Sequence, residues 1–143
     1  MTIREISVLD ADFIASAIEF GFSDGWNKNM LLSAFDGGRF IGLIANDNGN
    51  DIGFITASLS FDTADIESVF VMPDSRKNGI AKKLLSSIEE TIKANGKNTI
   101  LLEVKESNLP AINLYKSLGY KDVSIRKKYY ADGSNAIVMQ KEI

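Results

Sequence analysis

Residues Val69 to Leu85 read VFVMPDSRKNGIAKKLL, an apolar strand, a short polar loop and an amphipathic helix, and a second apolar run follows at Thr99 to Val104. A strand, a helix and a strand in that order predict a βαβ unit whose two strands lie parallel in one sheet. Ile80, Leu84, Ile88 and Ile92 recur at helical spacing, with Ala81 and Leu85 beside them, while Lys82, Lys83, Glu89 and Lys93 fall on the opposite face. Asn95-Gly96 supplies the stop. At its start such a helix leaves backbone N–H groups unpaired and carries about half a positive charge, which suits a phosphate, and Gly79 lets an anion approach closely. On these residues alone an ordinary packed strand-to-helix connection serves equally well.

The flanking sequence predicts a mixed α/β domain with antiparallel hairpins early and late. Ile3, Ile6 and Val8 suggest a first strand, and a helix from Asp10 or Asp12 to Phe20 follows, either aspartate serving as its N-cap. A turn-rich segment, GFSDGWNKN, precedes a second helix from Asn27 to Phe35. Phe40–Ala45 and Ile52–Leu59 form a hairpin around Asn46-Asp47-Asn48-Gly49-Asn50, because Asn and Gly tolerate positive φ. Ile66–Met72 is the strand leading into the central loop. Pro110 opens a short helix closed by Gly119, and Tyr120–Tyr130 pairs with Ala136–Gln140 around Ala131-Asp132-Gly133-Ser134.

Composition removes several kinds of chemistry. The 143 residues suit one domain, 1–143, with a core that needs neither metal nor crosslink. With no cysteine and no histidine, disulfides, thiol nucleophiles, zinc sites built on those residues and Ser-His-Asp catalysis are excluded. A general base must therefore be a carboxylate, an amine or a phenol. A net charge of −3 argues against broad nucleic-acid binding, and the short cluster Arg126-Lys127-Lys128 does not reverse this. The opening MTIREISVLD has no leader-like pattern and no apolar run reaches membrane-spanning length, so a soluble cytoplasmic protein is expected.

Arg76-Lys77-Asn78-Gly79-Ile80-Ala81 resembles the Gln/Arg-x-x-Gly-x-Gly/Ala loop of the GNAT superfamily of acyl-coenzyme A-dependent N-acetyltransferases. The segment LLEVKESNLPAINLYKSLGY, residues 101–120, is similar to the second half of that family's core, at the expected distance and in the same strand-loop-helix context. RKKYY followed by a short turn and AIVMQK narrows the resemblance to the RimI-like branch, whose members acetylate protein N-termini. It covers most of the chain after about Ile52 and is thin before that, although FSDGW is similar to the branch's acceptor-side segment. The resemblance implies a mostly antiparallel sheet of six to seven strands, a splay between its two central parallel strands, and about four flanking helices. It also implies acetyl-coenzyme A as co-substrate, no metal, and a protein or peptide N-terminus, including that of a ribosomal protein, as acceptor. A monomer or weak homodimer is expected, with no contact to nucleic acid or membrane.

Residue by residue, the resemblance assigns the backbone of Val69, Phe70 and Val71 to the acetyl and pantetheine groups, with the cofactor acting as a pseudo-strand beside a bulged strand. Arg76, Lys77, Asn78, Gly79, Ile80 and Ala81 wrap the pyrophosphate, Ala81 replacing the commoner third glycine. Lys82 and Lys83 read as solvated charges more readily than as phosphate ligands. Asn108 is expected to hydrogen-bond the cofactor's amide arm, cap the short helix, or do both.

Acetyl transfer needs an unprotonated amine, stabilisation of the tetrahedral oxyanion and a proton for the departing thiolate. An α-amine with a pKa near 8 asks little of its base. Glu103 is the leading candidate, since burial at the end of an apolar strand would increase its basicity. Asp65 and Glu67, which strand alternation puts on one face, are alternative bases or line the acceptor entrance. The resemblance makes Tyr115 the donor to the coenzyme A sulfur, and an ordinary phenol pKa near 10 lies close to that of an alkyl thiol. Tyr129 and Tyr130 would point to opposite faces in a regular strand, whereas a turn would bring both to a bound peptide. Trp26 would cover the acceptor or anchor its own loop.

Three functions remain open at this stage. The leading one is an acetyl-coenzyme A-dependent peptide α-N-acetyltransferase. A small-molecule amine or lysine acetyltransferase on the same fold comes second, and a non-catalytic acyl-coenzyme A-binding or ribosome-associated module third, against which the pair Glu103 and Tyr115 argues. A nucleotide-binding βαβ domain is discounted, for want of a Walker lysine-serine pair or a Gly-x-Gly-x-x-Gly fingerprint.

Overall fold

The computed structural model describes residues 1–21 and 27–143. Its described strands form one seven-stranded sheet in the order β1-β2-β3-β4-β5-β7-β6. They are β1 (Thr2–Glu5), β2 (Phe40–Asp47), β3 (Asn50–Leu59), β4 (Ala64–Val71), β5 (Thr99–Lys105), β6 (Lys121–Arg126) and β7 (Ala136–Glu142). Helices α1 (Ala11–Ser16), α2 (Lys28–Asp36), α3 (Ile80–Ala94) and α4 (Leu109–Ser117) flank it. Every pairing is antiparallel except β4 with β5, the two strands joined through α3, so the mixed sheet with a central βαβ unit is as expected.

Each face of the sheet has its own core. On one face α3 buries Ile80, Leu84, Leu85, Ile88 and Ile92 against Leu43, Ile55, Ile66, Ile100 and Leu102, with Ile112 of α4 alongside. Each such side chain contributes about 1.5–3 kcal/mol through burial, so this stripe secures the βαβ unit. The opposite face carries Ile44, Phe54 and Phe70, covered by Ala11, Ile14 and Ala17 and by Leu31 of α2. The first two helices thus shield β2 to β4 and leave that face of β5, β7 and β6 uncovered by any described helix.

Two local features shape the middle of the sheet. Between β3 and β4, Thr56 pairs with Ser68 but Ala57 pairs with Ile66, so Glu67 is an extra residue on β4 and forms a β-bulge. A hydroxyl-hydroxyl hydrogen bond between buried Thr56 and Ser68 pins it. Beyond the bulge β4 leaves its parallel neighbour: the pairing runs only through Ala64–Ile100, Asp65–Leu101 and Ile66–Leu102, although both strands continue. This is the expected splay, and a bulge that bends one strand is its physical cause.

Several sequence expectations need correction. The first strand stops at Glu5, and Val8–Asp10 is a 3-10 turn capped by Ser7, not by either aspartate. Asp10 is unavailable as a cap for α1 because its carboxylate receives two hydrogen bonds from Arg4, at 2.9 and 2.8 Å, and one from the Ser7 amide at 2.8 Å. The helix expected to reach Phe20 is α-helical only to Ser16 and continues as a 3-10 turn, ended by Gly21 at φ 85°. In the last hairpin β6 ends at Arg126, because Lys128 adopts φ 52° and turns the chain out of the sheet. The Asn48-Gly49 turn at φ 52° and 83°, the Asn27 cap of α2 and the Asn108 cap of α4 are as the residue types suggest.

Candidate active site

Where β4 and β5 part, a cleft of about 680 Å³ opens, lined by Val69, Phe70 and Val71 on one side and Val104, Lys105, Asn108 and Tyr115 on the other. The alternate N–H and C=O groups of β4 that point away from β3 here have no β5 strand opposite them. At the far end of the cleft stand Arg76, Lys77, Gly79, Ile80, Ala81 and Lys82. Gly79 precedes α3 at φ 73°, Lys77 also lies in the left-handed region at φ 66°, and no side chain caps the helix. The first-turn amides of α3 are therefore oriented by the fold with no side-chain acceptor in front of them. Arg76 shapes this loop from within: its Nε donates to the Val71 carbonyl at 2.9 Å and its guanidinium lies 5.8 Å from the Phe70 ring. The Asn78 amide donates within the loop to the carbonyls of Ser75 and Arg76.

Tyr115 projects into the cleft from α4, packed against the α3-side core and edge-on to Tyr120 at 5.9 Å. Burial pushes its phenol up to about 12, so the near-match to an alkyl thiol expected of an ordinary tyrosine is not kept. The hydroxyl stays protonated throughout the neutral range. Tyr120 is structural: its hydroxyl donates to Glu89 at 2.9 Å, and Lys141 donates to the same carboxylate, which ties α3 to β7.

On the opposite, uncovered face of the sheet lies a second cavity of about 790 Å³, lined by Asp65, Glu67, Leu101, Glu103, Arg126, Tyr129 and Tyr130. Ile66, Glu67, Leu102, Glu103 and Tyr130 border both spaces, so cavity and cleft meet at Glu103. Glu103 is not enclosed by apolar groups as its strand suggests. Its side chain is 27% exposed, and one oxygen forms an ion pair with Arg126 Nε at 2.9 Å. Asp65 is pushed up from the usual carboxylate range by burial first, then by the charges of Glu67 and Glu103, with Arg126 opposing. Glu67, on the bulge, accepts a 2.6 Å hydrogen bond from Ser58.

Tyr129 and Tyr130 sit beyond β6 in a turn, their rings edge-to-face at 5.1 Å, and both line the cavity. Hydrogen bonding to Glu103 raises the Tyr129 phenol. Lys105 anchors this turn through a 2.7 Å ion pair to Asp132 and sits 5.5 Å from the Tyr130 ring. Trp26 lies outside the described residues. The structure thus gathers the expected cofactor residues, except Asn78, whose amide turns back onto its own loop, into one cleft and Asp65, Glu67, Glu103, Tyr129 and Tyr130 into a contiguous cavity. Sequence reading missed Arg126 and Lys105 as parts of the site. Arg126 was visible only within a short basic cluster and Lys105 only as a lone charge, because their partners depend on how β5, β7 and β6 and the turn after β6 come together.

An acyl-coenzyme A-dependent N-acetyltransferase is the class of enzyme that a splayed sheet with this helix-start loop and acidic cavity defines, and the chain belongs to the acetyltransferase (GNAT) family, which it matches over residues 7–120. Among its relatives is the [ribosomal protein bS18]-alanine N-acetyltransferase of Haemophilus ducreyi, 36% identical over 118 residues, 80% of this chain and 81% of that protein. The Escherichia coli K12 enzyme of the same name is 32% identical over 117 residues, 80% and 78% of the two chains. A crystal structure of the Escherichia coli ribosomal-protein-S18-alanine N-acetyltransferase superposes with a TM-score of 0.88 at 31% identity, covering 99% of this chain and 93% of that one. Ard1 from Thermoplasma volcanium superposes at 0.89 with 25% identity, over 99% and 97% of the chains.

Proposed function

We propose that this protein transfers the acetyl group of acetyl-coenzyme A to the N-terminal α-amine of a protein or peptide, a ribosomal protein being the favoured acceptor, by direct attack in a ternary complex. The observation that carries the reading is the junction at Glu103. A cleft built from open strand backbone and a helix start meets an acidic, aromatic cavity there, so a thioester from one side and an amine from the other can come together. The names of the bS18-alanine N-acetyltransferases among its relatives support the α-amine and the ribosomal acceptor.

In this mechanism the pantetheine arm lies against Val69, Phe70 and Val71, and its amides replace the strand partner that β5 ceases to be. The pyrophosphate rests on the loop from Arg76 to Ala81, where the α3 dipole and amides favour an anion. Asn108 holds the arm near α4 while its side-chain oxygen caps the Ala111 amide. Glu103 takes a proton from the acceptor ammonium, directly or through water, and the free amine attacks the thioester carbonyl. A C–N bond forms, the carbonyl oxygen carries the negative charge, the nitrogen gives up its second proton to water, and collapse of the tetrahedral intermediate breaks the C–S bond. Tyr115 donates to the leaving sulfur. With its phenol near 12 it acts chiefly as a strong hydrogen-bond donor to the thiolate, the final proton coming from solvent exchange. Asp65 and Glu67 draw the cationic amine into the cavity, and Tyr129 and Tyr130 bracket the peptide. The working unit in this reading is one cytoplasmic domain, as a monomer or weak homodimer, without nucleic acid.

The test offers acetyl-coenzyme A with N-terminal peptides, lysine peptides and polyamines, and locates the acetyl group by fragmentation mass spectrometry. Acetylation of α-amines is expected. Transfer confined to lysine side chains or polyamines would defeat the assignment.

A further inference from the structure

Arg126 is the one cation among the described residues lining the acidic cavity, against the three carboxylates of Asp65, Glu67 and Glu103. It lies at the end of edge strand β6, two strands away from β5, and the pairing explains how it arrives. Lys105, Ala136 and Arg126 lie in register across β5, β7 and β6, and Glu103 pairs with Val138, two residues along β7 from Ala136. Alternation puts all of these side chains on the uncovered face. Opposite an alanine, the long arginine side chain can lie diagonally over β7, where its Nε meets Glu103 Oε1 at 2.9 Å and its guanidinium lies 5.8 Å from the Tyr129 ring. As a device for stability the pair is poor, because the arginine side chain is 57% exposed and exposed ion pairs contribute little. Its consequence falls on the cavity instead. It holds one oxygen of Glu103, to whose carboxylate the Tyr129 hydroxyl also hydrogen-bonds, and reduces the net negative charge that an acceptor meets.

We propose that Arg126 is a positioning and specificity residue: it orients the Glu103 carboxylate and, by partly neutralising the cavity, sets how strongly the enzyme prefers acceptors with a basic over an acidic residue beside the reacting N-terminus. The second residue of an acceptor follows the first by one Cα step of 3.8 Å, well within range of these charges. Removing the arginine raises the cavity's net negative charge by one, which favours a lysine and disfavours an aspartate at that position. The inference rests on the α-amine reading above, so its test carries a wild-type arm.

The experiment measures kcat and KM for wild type, Arg126→Gln and Arg126→Lys with two peptides that differ only in Lys or Asp at the second residue, at low ionic strength. For R126Q the Lys-to-Asp ratio of kcat/KM should rise about three- to tenfold over wild type, with the difference carried by KM, and shrink when salt is added. R126K restores the charge, so its ratio should return to the wild-type value, but it lacks the planar fork, so kcat should remain a few-fold low with both peptides. The melting temperature should stay near wild type in both variants. A merely structural arginine would lower the melting temperature and depress both peptides equally. An unchanged Lys-to-Asp ratio in R126Q, with wild type active on both peptides, overturns the inference alone. A wild type that acetylates neither α-amine overturns the function reading and this inference with it.

Discussion

The cleft and the cavity on the two sides of Glu103 are built from different material. The cleft is made largely of backbone: strand edges exposed where β4 leaves β5, and the uncapped start of α3 behind Gly79. The cavity is made of side chains from β4, β5, β6, β7 and the turn after β6, with three carboxylates, one arginine and two tyrosines among the described residues. Backbone recognition depends on the path of the chain and tolerates many side chains, so one donor can serve a whole family. A side-chain cavity changes its preference with each substitution, so the acceptor is where related enzymes can diverge.

Substitutions on either side should therefore fail differently, and the largest effects belong to the chemistry. Tyr115→Phe removes one donor to the developing thiolate and should lower kcat by about 10²- to 10³-fold while leaving the KM for acetyl-coenzyme A within a few-fold, as steady-state assays with either substrate saturating would show. Wild-type rates should show no alkaline loss from Tyr115 ionisation until the pH approaches its raised value of about 12. Glu103→Gln should cost roughly 10²-fold in kcat, least with acceptors whose amine is already unprotonated at high pH. If the loss is independent of pH, Glu103 positions the amine and does not take its proton.

Smaller effects separate binding from folding. Gly79→Ala places a Cβ in open space but at φ 73°, so the penalty is conformational, about 1 kcal/mol. A severalfold higher KM for acetyl-coenzyme A, with acceptor KM unchanged, would place the effect on the cleft alone. Tyr120→Phe removes the hydrogen bond to Glu89 and should cost about 1 kcal/mol in denaturant unfolding with kcat unaltered, the structural counterpart to Tyr115→Phe. Asp10→Asn should destabilise by about 1–2 kcal/mol at pH 7, toward the lower figure because Arg4 is itself partly solvated. Arg4's hydrogen bonds hold the Asp10 carboxyl below its usual value, so this stability is complete above about pH 4 and is lost as pH falls through the lowered folded value. The gap between variant and wild type should accordingly close in acid.

Legibility in the sequence followed the same division. The βαβ unit, the Asn48-Gly49 hairpin and the Asn27 and Asn108 caps are local, governed by residues a few positions apart. The first helix begins after Asp10 as the sequence suggests, but the Asp10 side chain does not cap it, because Arg4 of β1 holds its carboxylate. β6 is shorter than the run to Tyr130 suggests because nothing in RKKYY announces the positive φ of Lys128.

By itself, then, the sequence determined the central strand-loop-helix-strand, its glycine and its buried stripe, since periodicity and turn chemistry act over short distances. The family resemblance rested on the same local segments. Tertiary structure alone decided where β4 and β5 separate, that Glu103 meets Arg126 across an intervening strand, and that the Tyr120 hydroxyl binds Glu89 of α3. Those outcomes depend on register, a bulge and packing between segments tens of residues apart, and no window along the chain contains both partners.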